Sequence, residues 1–252
     1  MEAVAYLLVI AAAEVVNAVF AQPLWGIIAH IIILVTAIIR SARTGDKLQR
    51  QLVLSLALVP LVRIISLSMP LTDIPQIWWY PIIYVPLLVA AVVVIRILGY
   101  RRGEVGLSLK SLPIQLGVAS TGLLFGWLEY YVLRPEAMIT QLTWSEVLPL
   151  ALILLVCTGF VEEFIFRGVL QRSAVESFGW RGIIYISLLF ATLHLIHYSE
   201  VGLTMVLIDI ALVFAIAMFF GWVVKRTGSL LGVTLSHGIT NIMLFLIVPF
   251  LF

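Results

Sequence analysis

Thr158-Gly159-Phe160-Val161-Glu162-Glu163-Phe164-Ile165-Phe166-Arg167-Gly168 puts two glutamates and an arginine inside the segment 146–170, which after Glu146 is otherwise predominantly apolar. A charged side chain at the bilayer midplane costs about 2.5–3.5 kcal/mol or more, so such groups face a protein interior or water and pair with one another. Three charges in six residues therefore predict a helix packed among other helices, with a polar site inside the membrane.

Composition agrees. Of the 252 residues, 63% are hydrophobic and 11% charged, against roughly 25% charged in a soluble domain; the mean hydropathy is +1.17. Apolar stretches near 3–21, 23–39, 51–69, 76–96, 112–133, 146–170, 182–198, 203–224 and 229–251 are each long enough for a transmembrane helix. They are too long and too evenly apolar for barrel strands. The expected fold is an all-α polytopic bundle of eight or nine spans. The count is weakest in 1–39, where Gln22-Pro23 leaves almost no loop. Residues 1–252 read as a single integral membrane domain, with less characteristic spans over 1–95 and a protease-like core, named for the resemblance below, over 97–251.

Charge placement gives an orientation. With the N-terminus cytoplasmic, that side receives Arg40, Arg43, Lys47, Arg50, Arg96, Arg101, Arg102, Lys110, Arg172, Arg181, Lys225 and Arg226, which is 12 of the 15 Lys and Arg residues. This bias follows the positive-inside rule and suits a prokaryotic plasma membrane. The basic residues form only short loop clusters, which predicts no nucleic-acid partner. Cys157 is the sole cysteine, so no internal disulfide or thiolate cluster forms. Met1-Glu2 lacks a basic stretch, which predicts no cleavable signal.

The first four spans read as scaffold. Glu14, Asn17 and Arg63 are expected to find polar partners within the bundle, and His30 to be a hydrogen-bonded core residue. Segment 97–111 reads as a cytoplasmic surface stretch with an interfacial helix as one form. Trp78, Trp79, Tyr80, Trp127, Tyr130, Tyr131 and Trp144 fit an aromatic belt at the outer interface.

Within the sixth span, adjacent helical residues diverge by about 100°, so Glu162 and Glu163 point differently. Glu163 and Arg167 are four apart with the glutamate first, the favourable order for a pair. That leaves Glu162 for chemistry, although geometry alone allows the roles to be exchanged. Counted from the nearest basic residue at about 1.5 Å per residue, Glu162 lies about 15 Å deep, His194 about 20 Å and His237 about 16 Å. Asn241 shares a face with His237. His197 reads as an interfacial hydrogen-bonding residue, with membership of the site as the alternative; Asp209 is deep enough to support a site residue. Gly228 and Gly238 suit a helix break and close packing.

A carboxylate can take a proton from water, imidazoles can orient that water or bind a metal, and an amide can donate to an oxyanion. The set suits amide hydrolysis. Glu162, His194 and His237 would provide three zinc ligands, but HExxH is absent and a metal-free mechanism is equally open.

These residues resemble the CPBP family of intramembrane proteases, which includes the CAAX prenyl endopeptidase type and the bacterial Abi proteins. The resemblance rests on Glu162-Glu163-Phe164-Ile165-Phe166-Arg167 with Gly168, on Phe190-Ala191-Thr192-Leu193-His194, and on His237-Gly238-Ile239-Thr240-Asn241. Thr227-Gly228-Ser229-Leu230 and, more weakly, Leu107 to Gly117 add to it. It implies that Glu162 and His194 activate water, that His237 and Asn241 hold the oxyanion, and that Glu163 and Arg167 support them. The implied substrate is a membrane-embedded or lipidated peptide, prenyl CAAX-like, reaching the site from the bilayer. A nonproteolytic immunity or scaffold protein of the same fold is the alternative, with a transporter as a further one.

Overall fold

The computed structural model describes residues 2–20, 22–69 and 73–252. Met1 and Ala21, which the readings of the chain's start and first span included, lie outside them. The helices are α1 Glu2–Phe20, α2 Pro23–Arg43, α3 Lys47–Leu56, α4 Leu58–Ser68, α5 Trp79–Leu98, α6 Leu112–Leu133, α7 Trp144–Leu154, α8 Gln171–Phe178, α9 Arg181–Thr192, α10 Tyr198–Thr227 and α11 Leu231–Ile242. Between α7 and α8 the chain stays helical but widens into π-turns over Leu155–Glu162 and Phe164–Leu170. Wide turns of this kind are rare and concentrate at functional sites.

Eight continuous helical stretches are long and apolar enough to cross a membrane. Pro23 opens α2, where its missing N–H costs nothing, so the short Gln22-Pro23 connection does separate two helices. Arg181–Thr227 counts as one stretch of 47 residues, which as a rod would run about 70 Å, over twice the roughly 30 Å bilayer core. It is no rod. The chain tightens into a 3-10 turn at Leu193–His197 and breaks at Gly202, whose φ of 78° and ψ of 175° only glycine adopts easily. α9 and α10 then pack side by side. The seventh and eighth expected stretches thus fall on two separate helices, α9 and α10.

The two described ends of the chain pack at different places in the bundle. Glu2 bonds Arg40 at 2.5 Å and also Gln49, whereas Phe252 packs on Trp127 and Tyr131 with ring centroids 5.3 and 5.9 Å apart. The loops rich in basic residues meet at the first of these ends: Arg172 pairs with Glu104 at 3.0 Å, and Ser108 donates to the Gly228 carbonyl at 2.7 Å. There Tyr100 donates to Glu176 at 3.1 Å, and burial pushes its phenol up to about 12.

Segment 97–111 corrects one expectation. After the end of α5 it is a run of turns, not an interfacial helix. The reason is its neighbour: the Gly106 carbonyl accepts from Leu230 N at 2.9 Å, and Ser229 donates to the Ser108 carbonyl at 2.6 Å. A backbone committed to another loop cannot also close its own helical ladder. The aromatic belt is likewise divided. Trp78 and Trp144 are exposed, but Tyr80 stacks on Tyr84 and lines an internal cavity.

Fully buried Phe166, Leu170, Ile186 and Leu189 form part of one apolar core shared by both halves of the chain. Leu8, Val19, Leu124 and Leu152 face outward, as lipid-facing positions of an integral membrane protein should.

Candidate active site

The site exists because two helices approach closely. A Cβ on Gly159 would meet the Thr234 carbonyl at 2.7 Å and Gly238 N at 2.9 Å; one on Gly238 would meet Leu155 Cα at 2.9 Å. Small residues let membrane helices touch backbone to backbone, and this crossing sets the Glu162–Glu163 turn opposite His237. Gly159→Val should therefore force the helices apart, costing about 1–3 kcal/mol and most of any activity. Thermal unfolding in detergent, run beside an activity assay, checks this.

Glu163 is wholly buried, and its Oε2 lies 3.2 Å from Arg167 Nε. The guanidinium rests on the face of Phe190, 4.5 Å from the ring centroid, with Phe220 at 5.9 Å. Its two terminal nitrogens have no hydrogen-bond partner among the described residues. Ion pairing and aromatic faces replace water here. The other Glu163 oxygen is 2.9 Å from His237 Nδ1.

Glu162 is 20% exposed, to the cavity, and its Oε2 is 3.9 Å from His237 Nε2. The two glutamates thus meet opposite nitrogens of one imidazole, which helical divergence alone did not suggest. Two features allow it: the wide turn, and an imidazole inserted between the carboxylates. With Glu163 accepting from Nδ1–H, Nε2 is left directed at Glu162 and the cavity. Glu162 also accepts a hydrogen bond from Tyr84.

His194 sits in the 3-10 turn, with Nδ1 3.1 Å from Oδ2 of the buried Asp209 on α10. His197 follows one turn later, its ring centroid 5.6 Å from that of His194 and its Nδ1 3.2 Å from Glu200. The turn is also held from the N-terminal half. Arg63 donates to the Leu193 carbonyl and, at 2.7 Å, to Glu14. His30 Nε2 lies 3.2 Å from the same Glu14 oxygen, but without hydrogen-bond alignment. The partners expected for Glu14 and Arg63 are thus each other, and the pair reaches one residue short of His194.

Asn241 donates to Thr158 Oγ1 at 2.7 Å, and that hydroxyl donates to the Leu154 carbonyl at 2.6 Å. The amide is thereby fixed, with one N–H left over. Glu162, Glu163, Arg167, His194, His237 and Asn241 all line one cavity of about 250 Å³. Tyr84, Arg63 and Glu129 join them. Sequence reading gave Tyr84 no role and passed over Glu129. For Glu129 a signal existed, a carboxylate inside an apolar span between Trp127 and Tyr130; for Tyr84 there was none.

Of Glu162, His194 and His237, the first and last have Oε2 and Nε2 3.9 Å apart. Among the described residues, the group of three whose donor atoms all lie within 4.8 Å of one another is His194, His197 and Asp209.

Residues 143–243 match the family model of type II CAAX prenyl endopeptidases, Rce1-like. The match spans every motif residue on which the resemblance rests and none of Glu14, Arg63, Tyr84 or Glu129. Comparison with curated proteins finds no match, and comparison with solved structures finds none either.

Proposed function

We propose that this integral membrane protein, with residues 143–243 of the CAAX prenyl endopeptidase type, hydrolyses a peptide bond inside the bilayer. The observation that carries the reading is one cavity that Glu162, its part-exposed carboxylate, shares with His194, His237 and Asn241. Glu162 takes a proton from a water that His194 helps to orient, and the hydroxide attacks the scissile carbonyl carbon. The oxyanion so formed accepts from Asn241 Nδ2–H and from His237 Nε2–H, whose charge Glu163 balances across the ring. Collapse breaks the C–N bond, and Glu162 returns the proton to the leaving amine. Each step is carried by side chains of the chain itself.

The substrate class is read from the surroundings. The cavity lies within a bundle that carries many exposed apolar side chains, which supports a peptide that is membrane-embedded or carries a lipid, with a prenylated CAAX-like terminus as the chosen case. The basic loops gathered at one end support a cytoplasmic N-terminus in a prokaryotic plasma membrane. Residues 1–95 serve as scaffold to the 97–251 core within one membrane unit.

Purified protein in detergent, offered one peptide with and without a farnesyl thioether, tests the substrate. Cleavage of the lipidated form alone is expected; equal cleavage of both would remove the lipid from the reading. Tyr84→Phe should lower kcat about tenfold or more, the scale of a hydrogen bond to a charged group, while KM stays unchanged. A larger rise in KM than fall in kcat would instead make Tyr84 a substrate contact.

A further inference from the structure

We propose that the outer end of the cavity is a binding site for one divalent transition-metal ion of the zinc type. Its ligands are His194, His197 and Asp209. The set differs from Glu162, His194 and His237, the three that the motifs alone suggest.

Four observations converge on it. The donor atoms of the three residues all lie within 4.8 Å of one another. Zinc bonds of about 2.0–2.1 Å in a tetrahedron set ligand atoms roughly 3.4 Å apart; His194 Nδ1 and Asp209 Oδ2 are already at 3.1 Å. Asp209 is completely buried, and its second oxygen has no hydrogen-bond partner among the described residues. A buried carboxylate left half satisfied needs a counter-charge. Glu129, a further buried carboxylate, lines the cavity that His194 and His197 also line, while nearby Arg63 is already committed to Glu14 and Leu193. Two imidazoles with a carboxylate are a donor set that suits zinc.

The alternative set is engaged elsewhere. His237 Nδ1 faces Glu163, Glu162 takes the Tyr84 hydroxyl, and only His237 Nε2 and Glu162 Oε2, 3.9 Å apart, remain near each other. An ion held by His194, His197 and Asp209 would tie the 3-10 turn to α10 across the break at Gly202. It would also fix the His194 ring while leaving Glu162 and His237 unligated.

The test is equilibrium binding of Zn²⁺ and Co²⁺ to tag-free protein without substrate, so it does not depend on the proteolytic reading. Wild type is expected to bind one ion per chain, with Co²⁺ giving the visible absorption of a four-coordinate centre. His197→Ala and Asp209→Asn should each weaken binding by about a hundredfold, the upper range for disturbing a metal's surroundings. Glu162→Gln should bind as wild type does. Because either ligand variant could fail to fold, His197→Cys serves as the second variant, and should keep Co²⁺ and add a thiolate charge-transfer band. No binding by wild type would overturn the site. So would affinity that falls in Glu162→Gln and persists in His197→Ala.

Discussion

Glu162→Gln is expected to lower kcat by about 10⁴-fold, the upper range for removing a general base, with little change in stability. The amide keeps the size of the carboxylate and can still accept from Tyr84, but it cannot take a proton from water. Glu162 is not the group that compensates Arg167; that task falls to Glu163, whose Oε2 is 3.2 Å from the guanidinium. The protein should therefore keep its detergent melting curve while losing turnover. Steady-state kinetics on a cleavable peptide, paired with thermal unfolding, would show the split. A parallel fall in both would mean that Glu162 is structural and that the two glutamates have exchanged roles.

Glu163→Ala should fail in the opposite way. Glu163 is wholly buried and serves Arg167 and His237 at once, at 3.2 and 2.9 Å. Removing one member of a buried ion pair leaves the other charge uncompensated and costs about 3–5 kcal/mol. Here that charge is a guanidinium whose terminal nitrogens already lack hydrogen bonds. Activity should be lost as well, because His237 no longer has an acceptor on Nδ1. Adding Arg167→Met should restore much of the stability without restoring activity, since it removes the stranded charge and leaves His237 unanchored. Denaturation of the single and double variants in detergent gives the coupling between the two side chains. Additive losses would contradict the pairing.

Much of this was legible in the sequence because bilayer physics leaves few choices. Unbroken apolar runs of span length must be helices, and charges within them must meet. The register of Glu163 and Arg167 followed from helical spacing, and the motifs supplied the order in which Glu162, His194 and Asn241 enter one cavity. What stayed hidden lies in contacts between distant helices. Nothing near Tyr84 indicates that its hydroxyl meets Glu162, and nothing near Arg63 indicates a bond to the Leu193 carbonyl. The meeting of both glutamates on His237 was hidden for another reason: it depends on the π-widened turn, and a reading at a uniform 100° per residue assumes that turn away. The surface helix suggested for 97–111 failed because local composition is blind to a partner loop more than 100 residues later.

In the proposed function, Glu162 performs hydrolysis inside this membrane cavity. Its most direct test is mass spectrometry of a farnesylated CAAX peptide incubated with wild type, Glu162→Gln and Glu163→Gln reconstituted in liposomes. A single new carboxyl terminus at the lipidated cysteine is expected with wild type, and none above background with Glu162→Gln. The same product forming at wild-type rate with Glu162→Gln would contradict it.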